Sequence, residues 1–492
     1  MWRLRLLMFK KGEGVESALK RVSGMSRLFL LCFLYQFDKE RASCTFEEYA
    51  EIFRLSCKRI GQIVQELEDA GIVLISKQQG VDHRPKSFIH VDGKFIDELK
   101  ASFEDCSVDV DEGLIRDVAF GELVPAEMTN LKPLNRLLLC VLLVHSSEVG
   151  RVDGLGQSAL RELTGFSVDQ RRSQISRLAD LGFIRALVPG VTGCYLFGSV
   201  KTRYFLNMGH LGFGEYARHE TLLVGRGFSG DDDYRSGQAE AILKGAKEAN
   251  RLISRIIHRE GKKLTDREYK DLLRVIRFEQ KWGVKAKVPD RESTSWEAEL
   301  SGRLSGFFQD ASIKHDAPYL QVKINEYASQ LVLVPEEQLL VRENGLRKKI
   351  ALDLLRGKRS GEQAAFVSAV LTASRVQASR ARLLLNGLMQ EIDHKGKGEA
   401  ADNADFVILP TLETDPRSGL IVTLCVSSKE ESSMVRRPYW DQKVVAVWGG
   451  EFSVVSSPYA DASFLEEKMQ LTCGLKAKAK QYPKRPPEEV KK

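Results

Sequence analysis

The chain carries few residue groupings that could perform catalysis or hold a metal ion. The eight cysteines include no Cys-x-x-Cys pair, and the eight histidines are isolated from one another. A structural zinc site needs four such ligands at close paired spacings. Most of the cysteines lie among apolar neighbours, so we expect these to be small buried hydrophobic residues. We interpret the run of Asp231 to Asp233 as a solvated loop that caps the next helix, with a divalent-cation site as the alternative.

Several motifs for phosphate binding and hydrolysis are also missing from the sequence. The patterns Gly-x4-Gly-Lys-Ser/Thr, His-Glu-x-x-His and Gly-x-Ser-x-Gly do not occur. The sequence therefore predicts no enzyme activity, no cofactor and no metal. A catalytic site without a local signature remains the alternative for residues 208–492.

The side chains best suited to recognition lie at the start of one predicted helix. Lys58, Arg59 and Gln62 follow the capping residue Ser56. The apolar residues that alternate with them at helical spacing are Ile60, Ile63, Val64 and Leu67. Burial of this apolar stripe leaves the three polar side chains facing outward. Arg and Lys pair well with guanine in the major groove of DNA, and Gln pairs with adenine.

The elements around this helix occur twice. Residues 26–35 resemble residues 135–144, and residues 66–73 resemble residues 177–184, at an offset of about 110 residues. This spacing is too long for a solenoid repeat and indicates a duplicated small domain. Each copy begins with an apolar helix, at residues 28–37 and 137–144.

Capping residues predict the two helices that follow in each copy. The predicted N-caps are Thr45 and Ser56 in copy one and Ser158 and Ser167 in copy two. Gly71 and Gly182 end the later helix of each copy. Strands at 72–76 and 87–91 then form a hairpin in copy one. In copy two, a strand at 183–188 pairs with either 194–197 or 203–206.

Residues 56–73 resemble the recognition helix of MarR-like and GntR-like winged-helix regulators. The matching residues are Ile60, Ile63, Val64, Leu67 and Gly71. The resemblance covers about 40% of the chain and implies two tandem winged helix-turn-helix domains that bind double-stranded DNA. In copy two, Arg171 and Gln174 replace two apolar residues of the stripe. We therefore expect its helix to be held less firmly.

The resemblance implies a set of DNA-contacting residues in each copy. In copy one they are Lys58, Arg59 and Gln62, with Arg84 and Lys86 in the wing. In copy two they are Gln170, Arg172 and Ser173, with Lys201 and Arg203 in the wing. Two alternatives remain for these charges: a solvated helix face, or a surface that docks another protein.

The whole chain is predicted to be α+β and mostly α, with a helical middle region and a small β-rich C-terminal domain. The predicted segments are winged-helix domains at 16–96 and 126–207, an acidic connector at 97–125, helices at 236–392, an antiparallel sheet at 404–474 and a basic disordered tail at 475–492. The long helix at 361–392 is either a homodimer seam or part of the core. The basic face formed by Lys270, Arg274, Arg277 and Lys281 is either solvated or contacts phosphates.

The net charge of +7 permits nucleic-acid binding. No apolar run approaches the roughly 20 residues of a membrane span, and no signal peptide is recognisable, so we expect a cytoplasmic protein of bacterial style. The function predicted is sequence-specific transcriptional regulation. The alternatives are a replication or partition protein of a mobile element, and a docking subunit of a larger defence or chromosome-maintenance complex.

Overall fold

The computed structural model describes most of the chain. The described residues are 2–8, 15–37, 41–79, 85–101, 110–122, 131–147, 149–194, 198–216, 220–226, 237–257, 263–288, 290, 304, 313–354, 360–393, 404–409, 422–428, 443–448 and 451–455. Over these ranges the protein is a mostly helical α+β structure with small sheets, as the sequence predicts. No helix within them is long and apolar enough to cross a membrane.

The first unit consists of helices followed by a hairpin. Its elements are a 3-10 helix Trp2–Leu7, α1 Val15–Lys20, α2 Gly24–Gln36, β1 Arg41–Cys44, α3 Phe46–Phe53, α4 Cys57–Asp69, β2 Val73–Gln79, β3 Pro85–Val91 and α5 Gly93–Ala101. The antiparallel sheet has the order β1-β3-β2. The predicted caps are confirmed: Thr45 and Glu48 form a capping box, and Ser56 caps α4. Gly71 has the positive φ of 73° that the chain reversal after α4 requires.

The second unit repeats this order. Its elements are α6 Glu112–Phe120, α7 Pro133–Val144, β4 Arg151–Val152, α8 Gln157–Thr164, α9 Val168–Asp180, β5 Ile184–Val188, β6 Val191–Cys194, β7 Gly198–Val200, β8 Arg203–Leu206 and a 3-10 helix Leu211–Tyr216. Strand β8 is the partner of β5, whereas β6 pairs with β7, which decides between the two predicted return strands. Ser167 caps α9 as predicted. The prediction of Ser158 as the α8 cap was wrong, because the extended residue before the helix is Gly156.

The two units share one hydrophobic core. Helices α2 and α7 pack against each other, and their side chains are buried around almost the whole helix circumference. Helix α6, which lies in the predicted acidic connector, adds Leu114, Ile115 and Val118 to this core. The prediction of an acidic connector depended on the charged residues of this segment. Its apolar residues, by contrast, lie at the spacing of a buried helix face.

Each of the two core helices begins against the turn of a helix pair in the other unit, α8–α9 for α2 and α3–α4 for α7. A Cβ atom on Gly24, at the start of α2, would lie 2.5 Å from Phe166 Cε1 and 2.6 Å from the Thr164 carbonyl oxygen. Pro133, at the start of α7, lines one crevice with Phe53 and Leu55 at the α3–α4 turn. This reciprocal packing makes the two units a single body.

Two equivalent buried arginines bind backbone carbonyls at this junction. Arg27 of α2 donates to the carbonyl oxygens of Val22 at 3.2 Å and Leu19 at 2.5 Å, and also to that of Glu162 in the other unit. Burial lowers the pKa of Arg27 to about 10. Arg136 of α7 donates to the Ala119 carbonyl oxygen at 3.1 Å. Each guanidinium thereby satisfies carbonyls at helix ends that would otherwise be unpaired.

The remaining helices and strands form a second α+β body. Its elements are β9 Glu220–Arg226, α10 Gln238–Ile257, α11 Asp266–Lys281, α12 Ile313–Ser329, α13 Glu336–Leu354, α14 Ser360–Asp393, β10 Ala404–Leu409, β11 Val422–Ser428, β12 Lys443–Trp448 and β13 Glu451–Val455. The sheet order is β10-β11-β9-β12-β13. Three of its ladders are antiparallel, and β9 pairs with β12 in parallel.

The central strand of this sheet comes from before the helical region. The sequence predicts an antiparallel sheet within 404–474, whereas β9 enters it from residues 220–226. Two parallel strands need a long crossover connection. Between β9 and β12, the segment that contains helices α10 to α14 is part of this connection. Asn325 Nδ2 of α12 donates to the Leu409 carbonyl oxygen at 3.2 Å, and Ser329 Oγ accepts from the Ile408 amide at 2.9 Å. Helices and sheet are therefore packed together.

The long helix α14 lies in the core of this body. Phe366, Val370, Ala373, Ala381 and Leu384 are all buried. Of the two interpretations of this helix, core packing accounts for these residues. The homodimer stays a prediction.

Candidate nucleic-acid interface

Helix α4 presents polar side chains on the side opposite the core. Lys58, Arg59 and Gln62 are exposed, as predicted. The buried side consists of Ile60, Ile63, Val64 and Leu67, each at most 1% exposed. Ser56 Oγ accepts a hydrogen bond from the Arg59 amide at 3.4 Å. The turn before the helix is tight, since Arg54 adopts the left-handed conformation with a φ of 53°.

Two of the exposed side chains contact each other. Arg59 Nη1 donates to Gln62 Oε1 at 3.3 Å, and both side chains lie on the exposed surface of α4. The structure thus brings together two of the three residues that the sequence singles out for pairing with bases. The contact restrains both side chains before any ligand is bound.

A residue that the sequence analysis did not single out fixes α4 to the core. The Glu66 carboxylate accepts from the Ser23 amide at 2.5 Å and from Ser23 Oγ at 2.8 Å. Ser26 Oγ donates to the same carboxylate. These donors lie at the start of α2, where the helix dipole favours negative charge. The pair of serines three residues apart before an apolar helix was the available signal.

We expect Glu66→Ala to loosen α4. The substitution removes hydrogen bonds to a charged carboxylate, and a bond of this kind contributes about 1.5–3 kcal/mol to stability. It also leaves the donors at the start of α2 without this acceptor. Hydrogen exchange of α4 amides, measured by mass spectrometry, should become faster. The exposed Glu51→Ala on α3 is the matched control. Equal exchange in both variants would contradict the anchoring role of Glu66.

Helix α9 of the second unit is held by polar contacts as well as apolar ones. Arg171 is only 3% exposed, and its Nη1 donates to the Gln157 carbonyl oxygen at 2.6 Å. Gln174 is half-buried, and its backbone carbonyl oxygen accepts a hydrogen bond from Asn135 Nδ2 at 3.4 Å. The prediction that Arg171 occupies the buried stripe is confirmed. The weaker hold on α9 that the sequence predicts stays a prediction.

The exposed start of α9 differs in chemistry from that of α4. Val168 is 51% exposed, and Asp169 beside it stands at the position of Lys58 in the first unit. Gln170 stands at the position of Arg59, and its Oε1 accepts from the Ser167 amide at 3.0 Å in a capping box. Arg172 and Ser173 are exposed. The start of α9 is therefore less basic than the start of α4.

The predicted wing residues fall into three groups. Arg84 lies outside the described residues, and Lys86 lies in β3 without a described side chain. Lys201 is exposed. The side chain of Arg203 is only 12% exposed and pairs with Asp153 at 3.2 Å. We therefore no longer consider Arg203 a candidate DNA contact.

Arg203 belongs to a charge network that joins the second unit to α12. Glu326 Oε1 accepts from Arg203 Nη1 at 2.5 Å and from Arg151 Nη1 at 3.2 Å. Its other oxygen pairs with Lys323 Nζ at 2.9 Å. Burial by itself raises the pKa of the Glu326 carboxyl, but the attraction of Arg203, Lys323 and Arg151 outweighs it, so this pKa lies below its usual range. The network centres on Glu326.

A second acid extends the network to α13. Asp353 accepts from Tyr327 Oη at 3.0 Å and from Lys323 Nζ at 3.5 Å. Arg203 also lies over the Tyr319 ring, 5.5 Å from its centroid. Arg203 and Arg151 are 123 and 175 residues away from Glu326 in the sequence, so no local sequence motif predicts these ion pairs.

Other candidate chemistry is sparse in the described ranges. They contain no group of three or more residues suited to hold a metal ion, and the Asp231–Asp233 run lies outside them. Cys32 and Cys140 are buried as predicted, and burial raises the pKa of Cys32 to about 12, so its thiol stays protonated. Cys57 is exposed at the start of α4, on the outward face that the apolar stripe of this helix predicts.

Comparison of this chain with known proteins finds no match. No protein-family model, no curated protein and no solved structure is similar to it. The features that point to a function are therefore the exposed side chains of α4 and α9 and the packing that holds these helices.

Proposed function

We propose that this chain is a DNA-binding protein with two fused winged helix-turn-helix domains, in which α4 reads the base sequence. The observation that carries the proposal is the exposed group Lys58, Arg59 and Gln62 on a helix anchored by its apolar stripe and by Glu66. Direct readout requires side chains that are held in place. The Arg59–Gln62 contact provides such restraint.

In the proposed complex, the start of α4 enters the major groove, as in other helix-turn-helix proteins. Arg59 donates both arms of its guanidinium to guanine O6 and N7, and Gln62 pairs with adenine N6 and N7. Lys58 and the wing residues Arg84 and Lys86 contact phosphates. In the second domain, Arg172, Ser173 and Lys201 contact phosphates and do not read bases. The first turn of α9 is less suited to base pairing, because Asp169 is acidic and the side chain of Gln170 is bound in the capping box.

The biological role we propose is sequence-specific transcriptional regulation in the cytoplasm. A second candidate, protein docking, is favoured by one observation on the second domain. Val168 is 51% exposed at the start of α9 beside the acidic Asp169, and an exposed apolar side chain beside an acid suits a protein partner better than a phosphate backbone.

The full chain should bind random duplex DNA in a salt-dependent manner. The logarithm of the affinity should fall linearly with the logarithm of salt concentration, by about 0.9 for each phosphate contacted. Fluorescence anisotropy with a labelled duplex measures this slope. Undetectable binding, or an affinity insensitive to salt, would contradict DNA binding and favour docking.

Selection from fragmented genomic DNA with the same protein tests the biological role. A single site upstream of a gene supports regulation. An array of repeated sites would instead support a replication protein.

A further inference from the structure

One face of α11 carries a line of basic side chains outside the interface described above. The residues are Arg267, Lys270, Arg274, Arg277 and Lys281, and all five are exposed. Their spacing alternates between three and four residues, which places them along one side of an α-helix. From the first to the last the line extends about 21 Å, at a rise of about 1.5 Å per residue.

Helix α11 holds this line on a rigid element. Thr265 and Glu268 form a capping box at its start, with the Thr265 amide donating to Glu268 Oε2 at 2.8 Å. The opposite face packs on α10 and is buried. The packed residues are Leu272, Val275 and Ile276 of α11 and Ala249, Leu252 and Ile256 of α10. The basic face is therefore fixed with respect to the helical body.

Acidic side chains also lie beside this face. Asp271 pairs with Arg274 at 3.2 Å, and the acids of the first turn are Asp266 and Glu268. Glu279 is fully buried on the other side. Lys285 and Lys287, both exposed, extend the positive charge beyond the end of α11. The surface is complementary to a polyanion.

The chemistry of the face indicates which polyanion fits. A helix that binds a lipid surface inserts its apolar side, and the apolar side of α11 is already covered by α10. The anchors of protein interfaces are enriched in Trp and Tyr as well as Arg, and the line contains three arginines but no aromatic residue. Duplex DNA carries one phosphate per about 3.4 Å of helix axis on each strand, so several phosphates fall within the length of the line. We infer that α11 contacts the phosphate backbone of duplex DNA, as a second site beside α4. The inference rests on the proposed function.

The decisive experiment compares full-length variants in salt titrations with a random-sequence duplex. In the triple variant Lys270→Gln, Arg274→Gln and Arg277→Gln, the slope of log affinity against log salt should become shallower by about 2.7, or 0.9 for each phosphate that is no longer bound. Preference for a specific site over random DNA should stay unchanged, because backbone contacts carry no sequence information. Arg277→Lys keeps the charge and should keep the slope.

A matched control removes the same charges from another exposed helix. The variant Arg342→Gln, Arg347→Gln and Lys348→Gln on α13 contains the same residue types, all exposed, and should retain the wild-type slope. If both triple variants change the slope equally, the effect is one of net charge and the inference is overturned. If the α11 variant keeps the wild-type slope while Arg59→Ala still loses specificity, α11 does not touch DNA and the proposed function stands. If the wild-type chain binds no DNA, both fail.

Discussion

Replacing Glu326 with Ala should lower the free energy of unfolding by about 3 kcal/mol or more. Removing one partner of a buried ion pair destabilises a protein by about 3–5 kcal/mol. Arg203 keeps Asp153 and Lys323 keeps Asp353 as acidic partners, so we expect the lower end of this range. Here the side chains of Arg203 and Lys323 are only 12% and 11% exposed. Urea unfolding followed by circular dichroism measures the change.

A second substitution at Glu326 separates the effect of charge from that of packing, and a substitution elsewhere is the control. Glu326→Gln keeps the shape and one acceptor oxygen, so its loss of stability should be smaller than that of Glu326→Ala. Glu337→Ala, on the exposed side of α13, should change stability by less than about 0.5 kcal/mol. A Glu326→Ala variant as stable as the Glu337→Ala control would mean that the network contributes nothing.

The same carboxylate makes stability depend on pH. Because its pKa is lower in the folded than in the unfolded chain, its contribution is fully present above the unfolded value of about 4.3. The contribution is lost as the pH falls from there through the folded value. Wild-type protein should therefore lose more stability below about pH 4 than Glu326→Gln does. Parallel pH profiles of the two proteins would contradict this assignment.

Arg59→Ala should lower the preference for a specific site over random DNA by about tenfold or more. A bidentate contact to guanine contributes about 1–3 kcal/mol of discrimination, and 1.4 kcal/mol corresponds to tenfold. Arg59 is restrained by Gln62 on the anchored helix α4. Competition binding with specific and random duplexes gives the ratio directly.

Arg172→Ala is the matched variant in the second domain. Arg172 is also exposed, on α9, but the first turn of this helix carries Asp169 and Gln170, whose side chain is bound in the capping box. Its removal should weaken binding to specific and random DNA by the same factor. If Arg172→Ala loses specificity while Arg59→Ala does not, α9 is the reading helix.

Local signals predicted most of the first unit correctly. The capping box of Thr45, the cap at Ser56 and the reversal at Gly71 involve residues within a few positions of one another. Such interactions are encoded by short spacing, because a helix brings residues three and four apart onto one side. The exposure of Lys58, Arg59 and Gln62 follows from the same periodicity. Ser158 misled the sequence-based prediction because a serine near a helix start need not be the cap.

The sequence by itself determined the apolar helices α2 and α7, the caps of α3, α4 and α9, and the polar face of α4. Tertiary structure alone decided that β9 completes the C-terminal sheet, that Glu66 anchors α4, and that Arg203 faces Glu326 instead of solvent. The physical reason is the range of the interactions. An arginine has the same local pattern whether its partner is a phosphate or a glutamate 123 residues away, and only the packing of α12 against the second unit makes that partner available.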